Sequence, residues 1–135
     1  MATNSGNEIA ILATDSETLA MGFSALLLTI SPIRQVLLVE SFGSLINNLE
    51  TIEPALVLLD TALLDPTLVD ARRYNHIDEI DRLAPGSLRV LLTEGMAEFR
   101  DLICYTQDTV VVKGTEPARL AQTLEHLLQE HIAAA

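Results

Sequence analysis

The sequence predicts an α/β fold: a parallel sheet with helices on both faces. Three observations carry that reading. The stretch Ala55-Leu56-Val57-Leu58-Leu59-Asp60 runs five apolar residues into one carboxylate, the pattern of a strand buried on both faces in a parallel sheet. Short apolar runs alternate with helical patterns along the whole chain, which implies right-handed crossovers and a three-layer sandwich. The residues that follow the strands are polar and would share the sheet's carboxyl edge, where open α/β sheets bind ligands and do chemistry.

The first strand is Glu8-Ile9-Ala10-Ile11-Leu12-Ala13, followed by a Thr14-Asp15-Ser16 turn with Ser16 as N-cap. The first helix runs from about Glu17 to Ile30, with Leu19, Phe23, Leu26, Leu27 and Ile30 on one face, and Ser31-Pro32 stops it. The second strand is Gln35 to Glu40. Gly43-Ser44 opens a second helix through Leu45, Ile46, Leu49 and Ile52, which Pro54 closes before the third strand, 55–60. Asp65-Pro66 reads as an N-cap with proline at the first helical position. Leu68, Val69, Ile77, Ile80 and Leu83 then suggest one irregular helix as far as Ala84-Pro85-Gly86, interrupted around the polar cluster Arg72 to His76. Arg89 to Leu92 is the fourth strand, ending on Thr93-Glu94-Gly95. Met96 to about Tyr105 is a helix with Phe99, Leu102 and Ile103 inward. Val110-Val111-Val112 is the fifth strand, ending on Lys113. Glu116-Pro117 starts a last helix with Leu120, Leu124, Leu127 and Leu128 on its apolar face.

Composition bounds the rest. The 135 residues are 49% hydrophobic with a mean hydropathy of +0.32, enough for one globular domain with its own core. No apolar run approaches the ~18 residues that span a bilayer, so no membrane partner is expected. Met1 to Asn7 has neither the basic nor the apolar region of a secretory signal and reads as a flexible tail before a single domain, 8–132. The net charge of −11 argues against direct nucleic-acid binding and suits a metal cation or a basic partner surface. The lone Cys104 rules out an internal disulfide and a cysteine metal site, fits a reducing, cytoplasmic setting, and reads as a small residue buried in a helix. His126 and His131 lie on the last helix without a matching acid or cysteine set and read as solvated surface.

The strand ends gather Thr14 and Asp15, Glu40, Asp60, Thr93 and Lys113. A hard divalent cation relieves the repulsion between neighbouring carboxylates, and Mg²⁺ favours one or two carboxylates with water and phosphate oxygens. A carboxylate in such a setting can attack a phosphoryl group, with an ammonium and a hydroxyl neutralising the transferred oxygens. Any one of these residues alone is an ordinary turn or cap residue; their convergence from separate strands raises the chemistry above that.

The chain resembles a receiver domain of two-component response regulators over about Glu8 to Ile132. The sharpest local match is Thr14-Asp15-Ser16-Glu17-Thr18-Leu19-Ala20-Met21-Gly22-Phe23, similar to the aspartate-pair turn and first helix of the LuxR/NarL type. The resemblance implies a flavodoxin-like (CheY-like) five-stranded sheet of order 2-1-3-4-5. It implies Asp60 as phosphoacceptor, Thr93 as the switch hydroxyl and Lys113 as the lysine that pairs with the phosphoryl group. It implies a Mg²⁺ cofactor held by Asp15, Asp60 and the backbone carbonyl of Ala62. The partners implied are a histidine kinase or phosphotransfer protein and an output domain or partner protein, engaged through the fourth helix, fifth strand and fifth helix. Excess apolar surface on the last helix would support a homodimer. The chain would be no enzyme beyond Mg²⁺-dependent self-phosphorylation and autodephosphorylation.

Several positions depart from that pattern. Thr14 stands where a second acid is usual, which should weaken Mg²⁺ binding. Leu63-Leu64-Asp65 replaces the turn expected after the phosphoacceptor, and Gly114 follows Lys113 where proline or a small polar residue is usual. Val110 removes the relay's aromatic, and Glu94 is bulkier and more charged than the common alanine. The departures keep open a degenerate receiver that binds partners without phosphorylation. A third reading takes hydroxyl-rich Thr14 to Thr18 as a flavodoxin phosphate loop. Asp15 and Glu17 would repel a phosphate there, and 4% aromatic residues without tryptophan leave little to stack on FMN.

Overall fold

The structure, a computed structural model, describes residues 8–64 and 71–134, with 71–74 described as backbone alone. The expected tail and the Asp65-Pro66 cap lie outside the described residues. In order, the elements are β1 (Ile9–Ala13), α1 (Glu17–Leu27), β2 (Gln35–Val39), α2 (Phe42–Leu49), β3 (Leu56–Asp60), a 3-10 turn (Thr61–Leu63), α3 (Ala71–Leu83), β4 (Leu88–Thr93), α4 (Met96–Tyr105), β5 (Thr109–Val112) and α5 (Pro117–Ala134). All strands are parallel, in the order β2-β1-β3-β4-β5. This is the flavodoxin-like, CheY-like arrangement expected.

Central position explains the opening run. β3 is flanked on both sides by strands and on both faces by helices, and all its residues are buried. Its side chains alternate between two cores. Val57 and Leu59 join Ile11, Ala13 and Leu91 against Leu45 and Leu49 of α2, Ile77 and Ile80 of α3 and Leu102 of α4. Leu56 and Leu58 join Ala10, Leu12, Val90 and Leu92 against Leu27 of α1 and Leu120, Leu124 and Leu128 of α5. β2, at the sheet's edge, leaves Gln35 and Leu38 exposed.

Local chemistry sets the boundaries. Ser16 accepts the Leu19 N–H and caps α1 as expected, but α1 ends at Leu27; Thr29 and Ile30 continue as tighter turns onto the Leu26 and Leu27 carbonyls. Ser41, not Gly43-Ser44, begins α2, accepting the Ser44 N–H. α3 is unbroken from Ala71, so the polar cluster does not interrupt it. In α4, Leu102 is buried but Ile103 is half exposed and Cys104 is exposed. Both expectations of burial there are corrected, because a ten-residue helix with Phe99 and Leu102 turned to the sheet points 103 and 104 away. His131 is not simply solvated: its Nε2 lies 2.8 Å from the Gly86 carbonyl, to which only a protonated ring nitrogen can donate.

Candidate functional site

Register brings the polar residues together. Ala13 pairs with Leu59, so Thr14 comes up beside Asp60. Asp60 pairs with Leu92 and Thr93 with Val112, so Thr93 and Lys113 follow on the next two strands. Asp60 is only 1% exposed, and both its oxygens are engaged. Oδ2 accepts the Thr14 hydroxyl at 2.7 Å. Oδ1 accepts the Ala62 N–H at 3.0 Å and lies 2.6 Å from Lys113 Nζ. A carboxylate so buried needs this pairing. Lys113 also reaches the exposed Glu94 carboxylate at 2.5 Å. Burial works against the lysine's charge, but the hydrogen bonds and charges of Asp60 and Glu94 outweigh it and raise its pKa above the ordinary lysine value.

Thr93 is fully buried, and its hydroxyl donates to the Val111 carbonyl at 3.3 Å rather than to Asp60. Asp15 is exposed and lines a groove with Glu17, Met21, Leu38 and Glu40. The structure therefore joins Asp60 to Lys113 and leaves Thr93 and Asp15 at its margin. Glu40 is exposed at the end of β2.

A divalent cation fits the donor chemistry in one respect. Asp15 makes no hydrogen bond or ion pair with a described residue, so its carboxylate is uncommitted one residue beyond Thr14. Among the described residues no group of three His, Cys, Asp or Glu side chains is placed to hold a metal ion. The set that the resemblance implies, Asp15, Asp60 and the Ala62 carbonyl, is sparse, of the kind Mg²⁺ accepts when water completes it.

Three contacts at this edge were not read from the sequence. Thr61, fully buried, places its hydroxyl 2.8 Å from Glu98 Oε1 and 3.0 Å from the Leu92 carbonyl. Glu98 Oε1 also accepts the Glu94 N–H at 3.1 Å. The available signal was Glu98 at the third position of α4, where a glutamate commonly reaches back to cap the helix start; nothing local pointed to Thr61. Gly114 has φ +91°, a left-handed conformation closed to proline and costly for other residues, so the departure after Lys113 has a backbone cause.

No protein-family model matches the sequence, and no curated protein does. Solved structures do match. A CheY-like response regulator receiver domain from Methanospirillum hungatei JF-1 is 16% identical, with a TM-score of 0.71 over 96% of this chain and 99% of that one. The signal receiver domain of a LuxO repressor protein from Vibrio parahaemolyticus is 20% identical, with a TM-score of 0.74 over 95% of each. The isolated receiver domain of RcsB from Salmonella enterica serovar Typhimurium, solved with the phosphomimetic BeF₃⁻, is 23% identical, with a TM-score of 0.74 over 91% of this chain and 89% of that one. The chain thus has the fold of response regulator receiver domains.

Proposed function

We propose that this chain is a signal-transduction receiver in which Asp60 accepts a phosphoryl group from a histidine kinase or phosphotransfer protein. The observation that carries it is the Asp60–Lys113 pair at the carboxyl edge, 2.6 Å apart, with Thr93 on the strand between. The receiver fold, and a structural neighbour solved in the presence of the phosphomimetic BeF₃⁻, support it.

The residues divide the work. Oδ2 of Asp60 is held by one neutral donor and Oδ1 by an ammonium and an N–H, so Oδ2 keeps more electron density and is the better nucleophile. It forms a P–O bond as the donor's P–N bond breaks, leaving an acyl phosphate and a free imidazole. Lys113 then pairs with the new phosphoryl oxygens, and the Thr93 hydroxyl exchanges the Val111 carbonyl for them. Mg²⁺, held by Asp15, Asp60 and the Ala62 carbonyl, would supply the remaining charge neutralisation. Added charge of roughly −1.5 to −2 biases a two-state equilibrium read by an output domain or partner at α4, β5 and α5. The chain works in the cytoplasm, with no catalysis beyond loading and losing its own phosphoryl group.

A second reading has an observation of its own. Thr14 spends its hydroxyl on Asp60, and Asp60 is almost fully buried, which favours a degenerate receiver acting as a phosphorylation-independent interaction module. Intact mass after incubation with Mg²⁺ and acetyl phosphate separates the two. One phosphoryl adduct, absent from Asp60→Asn, is expected; no adduct on the wild type would leave the interaction module.

A further inference from the structure

The edge of β3 and β4 holds one contact that the phosphoacceptor reading does not use. Glu98, in the first turn of α4, sends a single oxygen to two donors that flank the site. One is the hydroxyl of Thr61, the residue after Asp60. The other is the N–H of Glu94, the residue after Thr93. An ordinary helix cap explains the second bond but not the first, which spans 37 residues and reaches a fully buried hydroxyl.

Thr61 makes the contact reversible. A threonine hydroxyl carries one proton, and two acceptors lie within reach, Glu98 Oε1 at 2.8 Å and the Leu92 carbonyl at 3.0 Å. The charged oxygen is the stronger acceptor, so the proton goes to Glu98 while that carboxylate is present. If Glu98 withdraws, the hydroxyl turns to Leu92, and no buried donor is orphaned. Electrostatics supplies a reason to withdraw. Lys113 is shared between Asp60 and Glu94, and new negative charge on Asp60 would draw Lys113 to itself. Glu94 would then face that charge with less compensation, and Glu98, whose oxygen holds the Glu94 N–H, would carry a second negative charge beside it.

We infer that Glu98 is a positioning residue of the Asp60 site: it pins the first turn of α4 to the ends of β3 and β4, and negative charge added at Asp60 releases it. The release rests on the phosphoacceptor reading; the pinning does not.

Hydrogen exchange followed by mass spectrometry tests both parts on the wild type, Glu98→Ala and Glu98→Gln, with intact mass taken on the same samples. Without phosphodonor, Glu98→Ala should speed exchange about tenfold in 94–99, where the Glu94 N–H loses a charged acceptor, and by a smaller but measurable factor in 61–64, where the Thr61 hydroxyl keeps the Leu92 carbonyl. Glu98→Gln keeps an accepting oxygen and should stay close to the wild type. If Glu98→Ala changes 94–99 and leaves 61–64 untouched, Glu98 is only a helix cap and the inference fails. With Mg²⁺ and acetyl phosphate, the phosphorylated wild type should loosen at 94–99, and phosphorylated Glu98→Gln, lacking the repelled charge, should respond far less. An adduct without loosening, or an equal response in Glu98→Gln, overturns the release. No adduct overturns the phosphoacceptor reading and the release with it, while the unmodified samples still decide the pinning.

Discussion

At the scale of single residues, Asp60 is defined by what surrounds its two oxygens. The sequence identified the carboxylate and its lysine because each follows an apolar strand, and the parallel register does the rest. It also marked Thr14 as a departure, and the structure adds that the hydroxyl is a direct donor to Asp60. Thr61 and Glu98 were not legible together, because a pair separated by 37 residues leaves no periodic trace. Thr14→Asp places a second carboxylate against Asp60 at a position 3% exposed. It should lower the melting temperature in chelator and make it rise with Mg²⁺ far more than the wild type's does, read by thermal denaturation across a Mg²⁺ series. Gly114→Ala forces a side chain into φ +91° and should cost about 1–2 kcal/mol, measurable by urea unfolding.

At the scale of elements, the strands were the clearest. A continuous apolar run bounded by polar turns has few alternatives when helices intervene, and β3 appears nearly where it was expected. Helix ends and faces were less clear. The turn after Leu27 looks helical by apolar spacing but closes as tight turns, and one residue of rotation in α4 separates buried Leu102 from exposed Ile103. β2 reads as apolar as the inner strands, yet its edge position exposes Leu38 to 52%. That contrast is measurable. Leu58→Ala, in the fully buried centre of β3, should cost about 2–5 kcal/mol. Leu38→Ala should cost well under half of that. Urea unfolding of the two variants side by side checks the assignment of centre and edge.

At the scale of the whole molecule, acidic groups outnumber basic ones and must be managed away from the site as well as within it. At the opposite end of β4, Arg89 Nε lies 2.9 Å from Asp81 of α3 and 3.0 Å from Asp108 before β5. Its Nη1 donates to the Ala84 carbonyl. Asp81 Oδ1, though close to Arg89, receives no hydrogen bond. Burial first, then the hydrogen bond and charge of Asp108 and the charge of Asp78, against the pull of Arg89, push the Asp81 carboxyl from 3.8 up to about 7. The folded chain therefore holds a proton that the unfolded chain has lost. This group's contribution to stability is complete below pH 3.8 and fades as pH rises through about 7. Asp81→Asn should flatten the fall of stability across that window, as urea unfolding at a series of pH values would show.

The central proposal, resting on the Asp60–Lys113 pair at the carboxyl edge of the sheet, is that Asp60 accepts a phosphoryl group. The most direct test is fragment-level mass spectrometry of the chain after incubation with Mg²⁺ and acetyl phosphate, reading where any added group sits. A single phosphoryl group on the fragment that carries Asp60, and none on Asp60→Asn, is the result expected. An unmodified chain, or a group that persists in Asp60→Asn, would contradict it.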